Sequence, residues 1–368
     1  MGVHSTDQLL IIGGGLMGLS VAHSLAKKGK KVIIFSRRRN EAAGFVAAGM
    51  LAPHAEGLTG QMLKLGKLSL QLQSNWVATI EKDSGLDCGL RNCGIVVPFR
   101  NFAERDKYPT AQYGELLDRN ALLKEAPGLH PQWKSGIIFH QDGQIDNRRL
   151  LMRALEKACF ELGVQFQEGV KVLKLINSSK GFEGVQIQNA EGKIKSIHSK
   201  EGVLCSGAWA KELLTDLPIF PVKGQMLSIQ GPRNALKRVI FGPGTYLVPR
   251  QDGLIIVGAT SEKNAGFDEG LTPIGQTQLQ EGISSLLPKA SNWPHMERWW
   301  GFRPCTPDQK PILGVSSIKG LWLATGHYRN GVLLSAITSY LLQKIICNEN
   351  LNTEEKEILK TFKWDRFQ

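Results

Sequence analysis

A short apolar run, Leu9-Leu10-Ile11-Ile12, stops abruptly at Gly13-Gly14-Gly15-Leu16-Met17-Gly18, and a helical pattern follows with Leu16, Leu19, Ala22 and Leu25 on one face. No other stretch constrains the fold as strongly. A G-x-G-x-x-G run is informative only between a strand and a helix, and this one has both flanks. Gly13 permits the tight turn, Gly15 lets backbone approach a pyrophosphate, and Gly18 lets the helix pack closely on its strand. Unpaired N–H groups at the helix start then favour phosphate oxygens. The stretch predicts a parallel α/β layer with a dinucleotide at its edge.

At 368 residues the chain exceeds one ordinary core, so two domains are expected. Its 42% hydrophobic and 21% charged residues are those of a globular protein. No apolar run approaches the ~20 residues of a membrane span, and Met1-Gly2-Val3-His4-Ser5-Thr6 lacks the apolar core of a secretory signal. Those six residues do fit the loose Met-Gly acylation pattern, which matches often by chance. Six cysteines lie scattered without C-x-x-C spacing, which suggests neither zinc nor disulfides and points to a reducing cytoplasm. The net charge of +12 is dispersed apart from Arg37-Arg38-Arg39, so it suits anionic ligands better than nucleic acid.

Along the chain, Lys31–Phe35 reads as a second parallel strand. The fingerprint expects an acidic residue for the adenosine ribose at its end, roughly twenty residues past the glycines. The position holds Ser36, followed by three arginines. A serine hydroxyl can bond a ribose, and arginines would suit a 2′-phosphate, so an NADP reading stays open. The small-residue stretch 42–53 lets a large ligand rest against backbone. A long helix is expected over 63–84, a strand over 94–99, helices and loops over 101–129, and an amphipathic helix over 148–162 closed by Gly163. The segments 184–189 and 193–198 form a hairpin, and 202–209 is a buried strand with a small-residue turn. Strands dominate 218–258, a helix covers 277–287, and Leu321–Ala324 leads through Gly326-His327 into a last helix over 332–346. Similar elements at both chain ends imply a first domain interrupted by a second. We expect 1–85, 142–215 and 301–368 in the first, and 86–141 and 216–300 in the second.

Candidate chemistry is sparse. The turn Gly326-His327-Tyr328-Arg329-Asn330-Gly331 opens a helix, where it is either an anion site or a plain cap. Arg303 has Phe302, Trp299 and Trp300 as sequence neighbours, a setting suited to bidentate carboxylate binding. Tyr246 is either a hydroxyl donor or a packing residue. No Ser-His-Asp order, metal-ligand cluster or carboxylate pair is evident. Hydride transfer to a bound cofactor is then the favoured chemistry, because the cofactor supplies the reactivity.

These residues carry a resemblance that runs nearly end to end. Ile11-Ile12-Gly13-Gly14-Gly15, Ala47-Ala48-Gly49-Met50-Leu51 with His54-Ala55-Glu56, Ser206-Gly207-Ala208-Trp209, Pro221-Val222-Lys223-Gly224-Gln225, Tyr246-Leu247-Val248-Pro249-Arg250 and Gly326-His327-Tyr328-Arg329-Asn330-Gly331-Val332-Leu333-Leu334 carry it. The chain resembles the ThiO-type glycine oxidases of the D-amino-acid oxidase and sarcosine oxidase superfamily. That resemblance implies a Rossmann-like FAD-binding domain of the glutathione-reductase type, interrupted by an α+β substrate domain with a large antiparallel sheet. It implies that Leu16 and Met17 meet the pyrophosphate, Ser36 and Arg37 the ribose, and the Val172 backbone the adenine. Ala43, Gly44, Ala48, Gly49 and Met50 would line the flavin, with His327, Tyr328, Arg329, Asn330, Gly331, Val332 and Leu333 on its far side. Arg303 would grip the substrate carboxylate, with Tyr246 and Arg329 beside it.

Two departures stand out. Ser36 replaces the family's usual Glu. Gly301 occupies the position, five before the Thr of Thr-Pro-Asp, where covalent-flavin sarcosine oxidases have their linking Cys. The expectation is non-covalent FAD, no metal, a small amino acid and dioxygen as reactants, and a homo-oligomer (dimer or tetramer) without nucleic-acid or membrane partners. Two other readings are a related amine dehydrogenase with a different electron acceptor, and a non-enzymatic NADP-binding redox sensor.

Overall fold

In the structure, a computed structural model, residues 8–368 are described; the acylation pattern at Met1–Thr6 lies outside them. The opening run forms strand Gln8–Ile12, which lies inside a six-stranded sheet. It pairs in parallel with Lys31–Ser36 on one side and Glu201–Leu204 on the other. Gln165–Glu168 extends one edge in parallel, and Leu321–Thr325 followed by antiparallel Ile312–Val315 extends the other.

Strand alternation gives this sheet two buried faces. Leu9, Ile11, Val32 and Ile34 point into a helical layer that includes Leu19, Leu65, Leu155 and Leu341. Leu10, Ile12, Ile33 and Phe35 point the other way, onto Phe182, Val185 and Ile187 of a separate three-stranded sheet. Runs buried on both faces read as continuous apolar stretches. That is why 9–12 and 32–35 carry no polar residue.

The second sheet has eight strands, in the order His295–Cys305, Phe220–Gln230, Leu254–Gly258, Tyr246–Pro249, Val239–Phe241, Ile95–Phe99, Ser135–Phe139 and Glu115–Leu117. It is mostly antiparallel, as expected, but Val239–Phe241 and Ile95–Phe99 pair in parallel. One face carries Leu227, Leu247, Ile255 and Val257 and is covered by Leu279, Ile283 and Leu286 of helix Pro273–Leu286. The other face carries Val97, Phe139, Met226, Val248 and Ile256 and packs against Ala48, Ala52 and Ala55 of the small-residue loop. That second contact seats the glycine-turn layer on the large sheet.

Several expected elements shift for local reasons. Helix Pro273–Leu286 begins before Thr277 because the Thr272 side chain accepts from the Gly275 N–H at 3.1 Å, and Pro273 suits the first turn. The 101–129 region holds helices Phe102–Asp106 and Arg119–Glu125, capped by Asn101 and Asp118, with the unexpected edge strand Glu115–Leu117 between them. The helix expected from Arg148 opens with a π turn over Asn147–Leu151 before Met152–Glu161 runs as α-helix. Strand His295–Cys305 runs straight through the expected 300/301 boundary. A small sheet of Met50–Leu51, Gly143–Ile145 and Leu90–Arg91 likewise crosses the boundaries expected near 85 and 141.

Candidate active site

A cleft of about 910 Å³ runs from the glycine turn to the face of the eight-stranded sheet. It is at the upper end of ordinary ligand sites, roughly 300–1,000 Å³, as a dinucleotide requires. Gly13, Gly15, Leu16, Met17, Ser36, Arg37, Ala43, Gly44, Ala48, Gly49, Met50 and Val172 line one part of it. His327, Tyr328, Arg329, Gly331, Val332, Arg303 and Tyr246 line the remainder.

Three expected residues lie behind the wall instead. Gly18 is buried, and a Cβ there would collide with the Gly13 carbonyl oxygen, so its role is helix-to-strand packing. Asn330 precedes helix Gly331–Ile346, and its carbonyl accepts from the Leu334 N–H at 2.9 Å. Leu333 is 1% exposed in the helical core, facing away from the cleft by helix periodicity.

The glycines divide by task. Gly13 sits at φ +114°, and a Cβ would lie 2.5 Å from the Cys205 carbonyl oxygen, so no other residue closes this turn. Gly49, at φ +84°, is pressed against the Ile145 carbonyl, so its smallness serves the small sheet rather than a ligand. The loop before it is held from behind: Arg250 donates to Ala48 O at 2.6 Å and to Gln144 Oε1 at 2.5 Å. Arg250 is nearly fully buried, and burial lowers its pKa to about 10.

Does FAD fit? Three buried polar atoms of residues at the wall have no protein partner: Oγ of Ser206, Nδ1 of His327 and Nη1 of Arg39. His327 Nε2 is already bonded to Thr338 Oγ1 at 3.0 Å, which leaves Nδ1 for a ligand. Burial pushes this imidazole down to about 3, so it is neutral. Tyr328 beside it adopts φ 48°, unusual for a bulky residue and common at ligand-holding turns. The residues fit a flavin dinucleotide: a glycine turn and helix start able to receive phosphates, and a cleft that extends from Val172 to the 43–50 segment and the His327 turn.

Position 301 also bears on linkage. A side chain at Gly301 would run into Val46, and Cys305 is not in the cleft wall. Among the residues lining the cleft, Cys205 is the one thiol, and complete burial raises its pKa well above the usual thiol range. The arginine run is answered by carboxylates. Arg37 and Arg38 donate to Glu41 at 2.9 and 2.8 Å, and Arg39 pairs with Glu168 at 2.6 Å and Glu156 at 2.8 Å. Carboxylates thus engage all three arginines, while Arg39 keeps a buried Nη1 without a protein partner at the cleft wall.

At the sheet end, Arg303 donates through Nη1 to Thr260 O at 3.0 Å and lies flat over Gly224. Its surroundings differ from the expected aromatic set. Alternation along His295–Cys305 sends Phe302 and Trp300 to the opposite face. There Phe302 packs on Trp209, Phe267 and Trp300 at 6.0, 5.1 and 5.4 Å between ring centres. The aromatic neighbour of Arg303 is Tyr246, which feels the guanidinium charge and whose hydroxyl donates to Met226 Sδ at 3.6 Å. Burial raises the Tyr246 pKa against the pull of Arg303 and Arg329, so its hydroxyl keeps its proton.

Glu56, in the His54-Ala55-Glu56 motif, also lines the cleft. Its Oε2 is 3.6 Å from Arg329 Nε, and burial raises its pKa against the charges of Arg329 and Arg303. The surrounding turn is fixed by Asp142, which accepts from the backbone N–H groups of His54 and Ala55 at 3.1 and 2.8 Å and bonds His54 Nδ1 at 2.6 Å. Tyr108 donates to Ala55 O at 2.6 Å. Arg329 is therefore partly occupied by Glu56, whereas most of the five donors of Arg303 remain free.

Fold and cleft define a dinucleotide-dependent oxidoreductase in which the second sheet forms one wall of the cleft. The chain belongs to the FAD dependent oxidoreductase family, which matches residues 8–345, and FAD is its cofactor. It is 40% identical over 374 residues to the bifunctional protein ThiO/ThiG of Nostoc sp., covering 99% of this chain and 55% of that protein. It is 31% identical over 362 residues to glycine oxidase of Bacillus licheniformis, covering 95% and 96% of the two chains. The solved glycine oxidase of Geobacillus kaustophilus superposes with a TM-score of 0.88 at 27% identity, over 98% of both chains. The chain spans about half the length of the bifunctional relatives it matches. Among the described residues, no helix is long and apolar enough to cross a membrane.

Proposed function

We propose that this chain oxidises glycine to its imine, which hydrolyses to glyoxylate and ammonia, with dioxygen reduced to hydrogen peroxide. The observation that carries the reading is the convergence of Arg303 and Tyr246 in one wall of the FAD cleft, fitted to a short carboxylate. FAD, when bound, supplies the hydride acceptor and the reaction with dioxygen. Arg303, anchored on Thr260 O, offers a planar fork for two charge-assisted hydrogen bonds. Tyr246, protonated, adds a hydroxyl donor. Together they fix the carboxylate so that the α-carbon is held in one place, and much of the rate comes from this positioning. Glu56 holds Arg329 at the rim of the same pocket.

We assign sarcosine and small D-amino acids as secondary substrates and non-covalent attachment to FAD, the latter supported by Gly301. The ThiO/ThiG relative supports delivery of the imine to thiazole synthesis. We also propose a division into an FAD-binding part (1–85, 142–215, 301–368) and a substrate-binding part (86–141, 216–300), with strand His295–Cys305 shared between the two. Free cysteines support a cytoplasmic setting, and a homo-oligomer is our working assembly. A substrate panel read out as peroxide and oxygen consumption tests the activity. Glycine should give both. Turnover of glycine with an artificial acceptor but without oxygen uptake would identify a dehydrogenase instead.

A further inference from the structure

The acid that this fold uses for the adenosine ribose is missing at Ser36, yet the cleft beside it is not without a carboxylate. Glu41, five residues on, lines the same cleft as Ser36, Arg37 and Val172. It sits in the turn Arg39–Glu41, which doubles back from the end of strand Lys31–Ser36. Gly14 makes that return possible, since a Cβ there would lie 2.9 Å from the Ser36 Cβ and 3.1 Å from the Arg39 side chain.

Glu41 is held rather than mobile. Arg38 donates to Oε1 at 2.8 Å and Arg37 to Oε2 at 2.9 Å. Arg37 is itself braced over the Trp209 ring at 5.2 Å. A carboxylate has about four acceptor sites, and these two bonds take one on each oxygen. Two remain, on a residue that lines the cleft. Partial burial raises the Glu41 pKa, but the hydrogen bonds and charges of Arg38 and Arg37 outweigh it and hold the group ionised.

We propose that Glu41 is the ribose acceptor of this chain: a carboxylate presented from the turn after the strand, with Arg37 and Arg38 as its positioning residues. The three-arginine run then has a use other than recognising a phosphate. Arg37 and Arg38 neutralise an acid that would otherwise stand unpaired near a pyrophosphate, and Arg39 ties the turn to Glu156 and Glu168. Ser36, 6% exposed, gives the turn room that a Glu side chain would fill.

The test is a cycle between protein and ligand, read as flavin binding rather than turnover. The full chain, stripped of flavin, is titrated with FAD and with an FAD analogue whose adenosine lacks the 2′- and 3′-hydroxyls. The wild type should prefer FAD by about tenfold or more, as a charge-assisted hydrogen bond implies. In Glu41→Ala that preference should fall to about one, with the analogue bound as before. Glu41→Gln, which keeps shape and one acceptor oxygen, should lie between and guards against a folding defect. The double change Ser36→Glu with Glu41→Ala should recover a preference. A purely structural Glu41 would weaken both ligands equally and leave their ratio intact. That result, or no preference in the wild type, overturns the assignment.

Discussion

Arg303 spends one N–H on the Thr260 carbonyl and is braced against the Gly224 backbone, so its orientation is set before any ligand arrives. Preorganisation of this kind makes a guanidinium hard to replace by an ammonium. Arg303→Ala should raise KM for glycine roughly a hundred- to ten-thousandfold with FAD still bound, since two charge-assisted hydrogen bonds of about 1.5–3 kcal/mol each are lost. Arg303→Lys should recover part of it, and an amine without a carboxylate should be indifferent. An unchanged KM for glycine in Arg303→Ala transfers the role to Arg329. His327 makes a separate prediction. Its imidazole is held down to about 3 in the folded chain, against about 6.5 when unfolded. The unfolded state therefore gains a proton first on acidification, so this group's contribution is full above about pH 6.5 and is lost as pH falls toward 3. Melting temperature should fall less steeply with acid in His327→Asn than in the wild type; parallel curves would refute the assignment.

Elements built on short-range signals were readable from sequence. The strand Gln8–Ile12, its glycine turn and helix Leu16–Lys27 follow from four apolar residues and three glycines in fixed order. Gly18 is the clearest case, because the helix approaches the Gly13 carbonyl too closely for any side chain. Gly18→Ala should cost several kcal/mol by overpacking and yield protein that retains little flavin; a flavin-replete Gly18→Ala would contradict that. Strand His295–Cys305 was not readable, since its first half is exposed and shows no alternation of polarity. Nor was Glu56, whose partner Arg329 and whose turn-fixing Asp142 come from distant segments brought together only by the fold. Of the three arginines, Arg39 misled for the same reason, since its carboxylates at 156 and 168 arrive from another helix and strand, whereas Arg37 and Arg38 are answered locally by Glu41. Gly301 belongs to this scale as well. Val46, on the facing loop, leaves no room for a side chain there, so Gly301→Cys alone should still release its flavin on acid precipitation, with colour in the supernatant. Flavin retained by the precipitated Gly301→Cys polypeptide would show that the strand and loop yield.

At the scale of the whole molecule, two sheets divide the labour. The parallel layer supplies the glycine turn and two helix starts, and the eight-stranded sheet supplies Tyr246 and Arg303 on its face. Loop 43–56 lies between them, packed by Ala48, Ala52 and Ala55 onto the large sheet and tied down by Arg250 and Asp142. Bringing a small amino acid to a dinucleotide's reactive end requires both layers at once, and that joint is the central claim. Its most direct test is anaerobic mixing of the purified yellow holoprotein with glycine, followed by the visible flavin absorbance. Glycine should bleach the oxidised band, which should return with hydrogen peroxide once air is admitted. A flavin that stays fully oxidised in saturating glycine, sarcosine and small D-amino acids would contradict it.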